Sequence, residues 1–82
     1  MSKGFRPLET EGHSEIFAKR FAALRKSKGL SQKAIADKLG ITDRAVSKWE
    51  TGRGTPKFNH IPVLASLFNV TIDYLFGCEK SI

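Results

Sequence analysis

The stretch from Gln32 to Trp49, QKAIADKLGITDRAVSKW, limits the fold more than any other part of the chain. Ile35, Ala36 and Leu39 stand at i, i+1 and i+4, one stripe along a short helix. Gly40 follows directly, and glycine takes the left-handed backbone that closes a helix without steric penalty. Thr42 then offers a hydroxyl to cap a second helix. Ala45, Val46 and Trp49 repeat the i, i+1, i+4 stripe on that helix. Ile41 can tuck into the angle between the two helices, and small Ala36 permits a close crossing. Asp43, Arg44, Ser47 and Lys48 are left as the outward polar face of the second helix.

Two short helices with that division of faces form a helix-turn-helix pattern. The run GLSQKAIADKLGITDRAVSKWETG resembles the DNA-binding core of the phage-repressor (XRE-type) helix-turn-helix family. The similarity extends from about Phe17 to Gly77 and takes in the later LASLFNVTIDYLFG. It implies an all-α fold, a compact five-helix bundle around the central helix-turn-helix, and operator DNA as partner.

A chain of 82 residues makes one domain and buries somewhat over ~60% of its unfolded surface. That suffices for a helical bundle, but not for an enclosed cofactor cavity and a second domain. No run approaches ~18 apolar residues, the length that would span a membrane. The opening MSKGFRPLETEGH has no apolar core of a secretion signal. One cysteine, Cys78, excludes an internal disulfide and fits a reducing compartment, so a cytoplasmic location is expected. The net charge is +6, and its placement matters more than its size. Between Ser14 and Phe58 there are 11 Lys/Arg against 4 Asp/Glu, whereas the rest of the chain holds 3 against 4. The excess surrounds the helix pair, as a polyanionic partner requires.

Taken in order, residues 1–13 read as a flexible arm, 14–77 as the DNA-binding domain and 78–82 as a tail. A first helix is expected from Ser14, its cap, to about Lys28. Its inner face is Phe17, Phe21 and Leu24, with Ile16 and Ala22 or Ala23 beside it. Gly29 stops it, Leu30 folds back on the last turn, and Ser31 caps the next helix. After Trp49, ETGRGTPKFN is a loop. A fourth helix is expected from about Asn59, its cap, to Phe68, with Pro62 in the first turn and Ile61, Leu64, Ala65 and Phe68 facing the core. Asn69 ends it, and Thr71 caps a short fifth helix. There Ile72, Leu75 and Phe76 close the core before Gly77, one of the last two apolar residues facing outward.

For reading bases, Arg44 is the first choice, because arginine bonds guanine O6 and N7 together. Lys48, four residues on, can read guanine or hold a phosphate, and Ser47 can serve either. Asp43 can accept from cytosine N4 or simply favour the positive helix N-terminus. Lys33, Thr42 and Arg53 are expected to hold phosphates. The resemblance adds three assignments: the Gln32 amide on a phosphate, backbone contacts from the loop carrying Arg53 and Lys57, and a partly buried salt bridge between Arg25 and Glu50. That makes Arg25 a structural residue.

Catalysis finds little support. His13 and His60 are far apart, Cys78 has no partner cysteine, and no spacing resembles a metal site. No strand leads into a glycine-rich phosphate loop, so neither cofactor nor enzyme activity is expected. The expected role is a transcriptional repressor, a homodimer on an inverted repeat, joined through the fourth and fifth helices and the loop before them, with Phe58, Phe76 and Ile82 as contacts. The rival is a protein-interaction module, antitoxin-like or an assembly partner, in which DNA binding is secondary. A third reading makes these residues the DNA-binding part of a longer regulator.

Overall fold

A computed structural model describes residues 9–78, with side chains from Gly12 onward. Its elements are α1 (Glu9–Ser27), α2 (Gln32–Leu39), α3 (Asp43–Glu50), a 3₁₀ turn (Phe58–His60), α4 (Ile61–Phe68) and α5 (Ile72–Phe76). The described chain is all-helical. Local chemistry sets most of the boundaries. Ser31, Thr42 and Thr71 have extended backbones, and their hydroxyls accept from Ala34, Ala45 and Tyr74 N–H at 3.0, 3.2 and 3.0 Å. Each cap satisfies one of the amides that a helix start leaves without a partner.

The helix ends share one device. Leu30, Ile41, Arg53, Val70 and Cys78 each donate a backbone N–H to the carbonyl five residues earlier, at 2.8–3.0 Å. The residue before each donor, Gly29, Gly40, Gly52, Asn69 or Gly77, has positive φ. This is the glycine-type helix stop with its six-to-one bond. At α1, α2 and α4 the donor is apolar, and Leu30, Ile41 and Val70 fold back against the core. At α3 it is Arg53, which stays in solvent.

Phe17, Phe21, Ile35, Val46, Leu64 and Leu75 are fully buried. Phe17 stacks on Phe21 at 5.4 Å and on Phe76 at 4.9 Å, while Trp49 meets the Phe17 and Phe21 rings edge-on. Phe68 meets Phe21 in the same way at 5.7 Å. Such offset and edge-to-face pairs add about 0.5–1.5 kcal/mol each beyond the area they bury. The column also docks α3 and α5 on α1. At the far end Gly77 lies so close to α1 that a Cβ there would stand 2.8 Å from Ile16 Cδ1.

The structure departs from the sequence reading at several places. The first helix starts at Glu9, five residues before Ser14, so Ser14 lies inside α1 and caps nothing. No proline follows Pro7 there, and the His13 ring nitrogen, bonded to the Phe76 carbonyl, fastens the added turn to the end of α5. Ala18, not Ala22 or Ala23, is the buried alanine of α1. Asn59 does not cap α4. It sits in the 3₁₀ turn, where His60 N–H already bonds the Lys57 carbonyl at 2.9 Å, and His60 takes the capping position without a side-chain bond. Ile61 is half-buried rather than a core residue. Ile72 is 43% exposed, because the short α5 carries only one position over the centre of the core and Leu75 fills it. Phe76, one residue on, turns onto Phe17 and is half-buried. Residues 1–8 of the expected arm and 79–82 of the expected tail, Ile82 among them, lie outside the described residues. No described helix is long and apolar enough to cross a membrane.

Candidate nucleic-acid interface

At 100° per residue, Asp43, Ser47, Arg44 and Lys48 cover an arc of about 140° on α3. Val46 and Trp49 fill the opposite side and are buried. Asp43, Arg44 and Lys48 are exposed, and Ser47 is half-buried at the edge of the arc. Asp43, in the first turn, is favourably placed against the positive end of the helix dipole. With its side chains an α-helix is about 10–12 Å across, close to the ~12 Å width of a B-DNA major groove.

The two ends of α3 carry different groups. At the N-terminus Thr42 is exposed, and with its oxygen accepting from Ala45 N–H its hydroxyl proton is left to donate. At the C-terminus Arg53 N–H bonds the Lys48 carbonyl at 3.0 Å, so the loop cation is fixed by its backbone beside the last turn. Gly54 runs past Lys48 closely enough that a Cβ on it would stand 4.0 Å from Lys48 Cβ. Lys57 is exposed just before the 3₁₀ turn, away from this cluster in sequence. Lys33 is exposed but pairs with Asp37 on α2 at 3.6 Å, so part of its charge is answered within its own helix.

Beside the buried Val46 and Trp49, the salt bridge implied by the resemblance helps to hold α3 in place. Arg25 Nε donates to one Glu50 oxygen at 2.6 Å and Nη2 to the other at 3.0 Å, a bidentate fork. A third N–H, on Nη1, reaches the Leu30 carbonyl at 2.8 Å and so holds the α1–α2 turn. Both side chains are nearly buried, at 12% and 11% exposure. Burial pushes the Glu50 carboxyl up, but hydrogen bonds from Arg25 and Gln32 and the charges of Arg25 and Lys26 outweigh it and hold the group below its ordinary value. The hydrogen bond to Glu50 raises the Arg25 guanidinium in turn, against its own desolvation. The pair is thus ionised at neutral pH.

Gln32 is the residue whose surroundings sequence alone left unread. Its Nε2 donates to Glu50 Oε1 at 3.1 Å, from the first position of α2 to the last of α3. The two residues lie 18 apart in the chain, and neither spacing nor composition signals the bond. The structure thus gathers Gln32, Lys48, Arg53 and the Arg25–Glu50 pair at one end of α3, with Thr42, Asp43 and Arg44 at the other.

Comparison with known proteins places this geometry. A helix-turn-helix family model matches residues 21–75. The HTH-type transcriptional activator BcrR of Enterococcus faecalis is 36% identical over 66 residues, covering 80% of this chain and 32% of that protein. The uncharacterized HTH-type transcriptional regulator YazB of Bacillus subtilis (strain 168) is 34% identical over 67 residues, 82% of this chain and 97% of its own length. The 26 kDa repressor protein of Escherichia phage HK022 is 34% identical over 67 residues, 77% of this chain and 28% of that protein. The chain spans between about a third and three fifths of the first relatives it matches. No solved structure matches it. Family model, relatives and the capped α2–α3 pair agree, and the chain belongs to the phage-repressor-like (XRE-type) helix-turn-helix family.

Proposed function

We propose that the chain binds double-stranded DNA with sequence specificity through α3 and regulates transcription, as a repressor acting as a dimer on an inverted-repeat operator. The observation that carries this reading is an exposed Asp43, Arg44 and Lys48 face on a helix whose other side is locked by Trp49 and the Arg25–Glu50 bridge. A reader of base edges has to hold its side chains in register, and this helix has little freedom to shift. Arg44 is the guanine reader, Lys48 and Ser47 complete the base contacts, and Asp43 accepts from cytosine or favours the helix dipole. Gln32, Lys33, Thr42, Arg53 and Lys57 meet phosphates. Such contacts fix register without carrying sequence information.

Self-association follows from affinity. A small domain held by phosphate contacts alone reaches a Kd of only about 10⁻⁴–10⁻⁶ M. A dimer reading two half-sites ~34 Å apart overcomes that limit. Phe58 at 86% exposure, with Val63 and Ile72, offers exposed apolar side chains on the 3₁₀ turn, α4 and α5, while the Tyr74 ring carries the Arg20 guanidinium at 4.2 Å. Phe76, stacked on Phe17, is not exposed in the same way. Repression needs no further activity, since a bound dimer blocks its site, and one relative is named as a phage repressor. A cytoplasmic location accompanies this role.

Replacing Arg44 by Ala tests the reading. Loss of one bidentate guanine contact removes about 1–3 kcal/mol of discrimination, with helicity by circular dichroism unchanged. Undiminished binding and preference in that variant would refute the assignment.

A further inference from the structure

We propose that Glu50 is a positioning residue for DNA binding: its carboxylate fixes the Gln32 carboxamide so that a free N–H faces a phosphate. The inference rests on the DNA-binding reading above and deepens it, since it makes the brace of the fold also the aim of a contact. Glu50 Oε1 receives both Arg25 Nη2 at 3.0 Å and Gln32 Nε2 at 3.1 Å. A carboxylate only accepts, while a glutamine amide has two donors on nitrogen and an acceptor on oxygen. Turning the Gln32 amide over would set its carbonyl oxygen against the carboxylate, so the nitrogen faces Glu50. One N–H is used there, and the other points away from it on a half-exposed side chain.

A phosphate is likewise an acceptor only. An unfixed glutamine at this position would present its oxygen for part of the time and would lose rotamer freedom on binding. With Glu50 in place that ordering is complete before DNA arrives. Glu50 is itself immobile, because the Arg25 fork holds both of its oxygens and Arg25 also grips the Leu30 carbonyl. The ordering cost avoided for one such side chain corresponds to about threefold to tenfold in affinity.

Two measurements test this. The first is a double-mutant cycle on the Kd for an enriched duplex, with wild type, Gln32→Ala, Glu50→Gln and the double variant, all at a temperature where circular dichroism shows them folded. Each single substitution is expected to weaken binding about threefold to tenfold, with the double variant no weaker than the weaker single. Effects that multiply, or a Glu50→Gln protein that binds like wild type, would overturn the inference. The second needs no variant: the side-chain amide protons of Gln32 are followed by NMR as duplex is added to the intact protein. One proton, held by Glu50, is expected to stay in place while the other shifts. Both shifting together, or neither, would count against it. A wild-type protein that binds no duplex sinks the DNA-binding reading and this inference together, whereas binding without coupling sinks the inference alone.

Discussion

At the scale of single residues, Glu50 has the most consequences. It accepts two hydrogen bonds from Arg25 and one from Gln32, so one side chain joins the end of α1, the start of α2 and the end of α3. Removing one member of a nearly buried pair strands the other, and Glu50→Gln is expected to cost about 3 kcal/mol of stability, measured by urea unfolding at pH 7. Its pH dependence has a definite sign. Because folding lowers the Glu50 pKa, its stabilising contribution is complete above the ordinary glutamate value of ~4.3 and fades as pH falls through that value to the folded one. The Glu50→Gln protein should lack that part of the acid loss. A wild type and variant with parallel stability curves between pH 6 and 3 would show that the bridge has no such role.

At the scale of elements, α1 and α5 meet at a joint that tolerates no extra atom. Gly77 has φ +70° and its missing Cβ would fall 2.8 Å from Ile16 Cδ1, so Gly77→Ala meets both backbone strain and a clash. About 1–3 kcal/mol is expected from the strained backbone alone, seen as a lower thermal midpoint, and Ile16→Ala in the same chain should restore part of it. No shift in the midpoint would mean that this end of the bundle is loose. The sequence made much of the bundle legible. The stops at Gly29, Gly40, Asn69 and Gly77 and the caps at Ser31, Thr42 and Thr71 depend on a few neighbouring residues, and local chemistry identifies them. The earlier start of α1 was not legible, and neither was the contact of His13, in its added turn, with a carbonyl 63 residues away. The same holds for Ile72 and Phe76, whose exposure depends on where α5 lies on α1, and for the bond between Gln32 and Glu50. Arg25 with Glu50 was expected from resemblance alone, since no spacing rule joins residues 25 apart.

At the scale of the whole molecule, the placement of charge and apolar surface makes two demands that one arrangement meets. Exposed cations lie along α3 and the loop after it, while exposed Phe58, Val63 and Ile72 belong to the 3₁₀ turn, α4 and α5. A dimer through the second surface leaves the first free for DNA. Phe58→Glu is expected to leave folding intact, since that ring is 86% exposed, and to abolish the concentration-dependent dimerisation that sedimentation is expected to detect for the unmodified chain. An unchanged dimer would move the interface elsewhere. The most direct test of the account is selection from a pool of randomised duplex DNA with the purified protein at moderate salt, followed by sequencing. The account predicts enrichment of an inverted repeat at fixed spacing, one helical turn between half-site centres, with guanines at the positions Arg44 reaches. A pool that remains random after repeated rounds would contradict it.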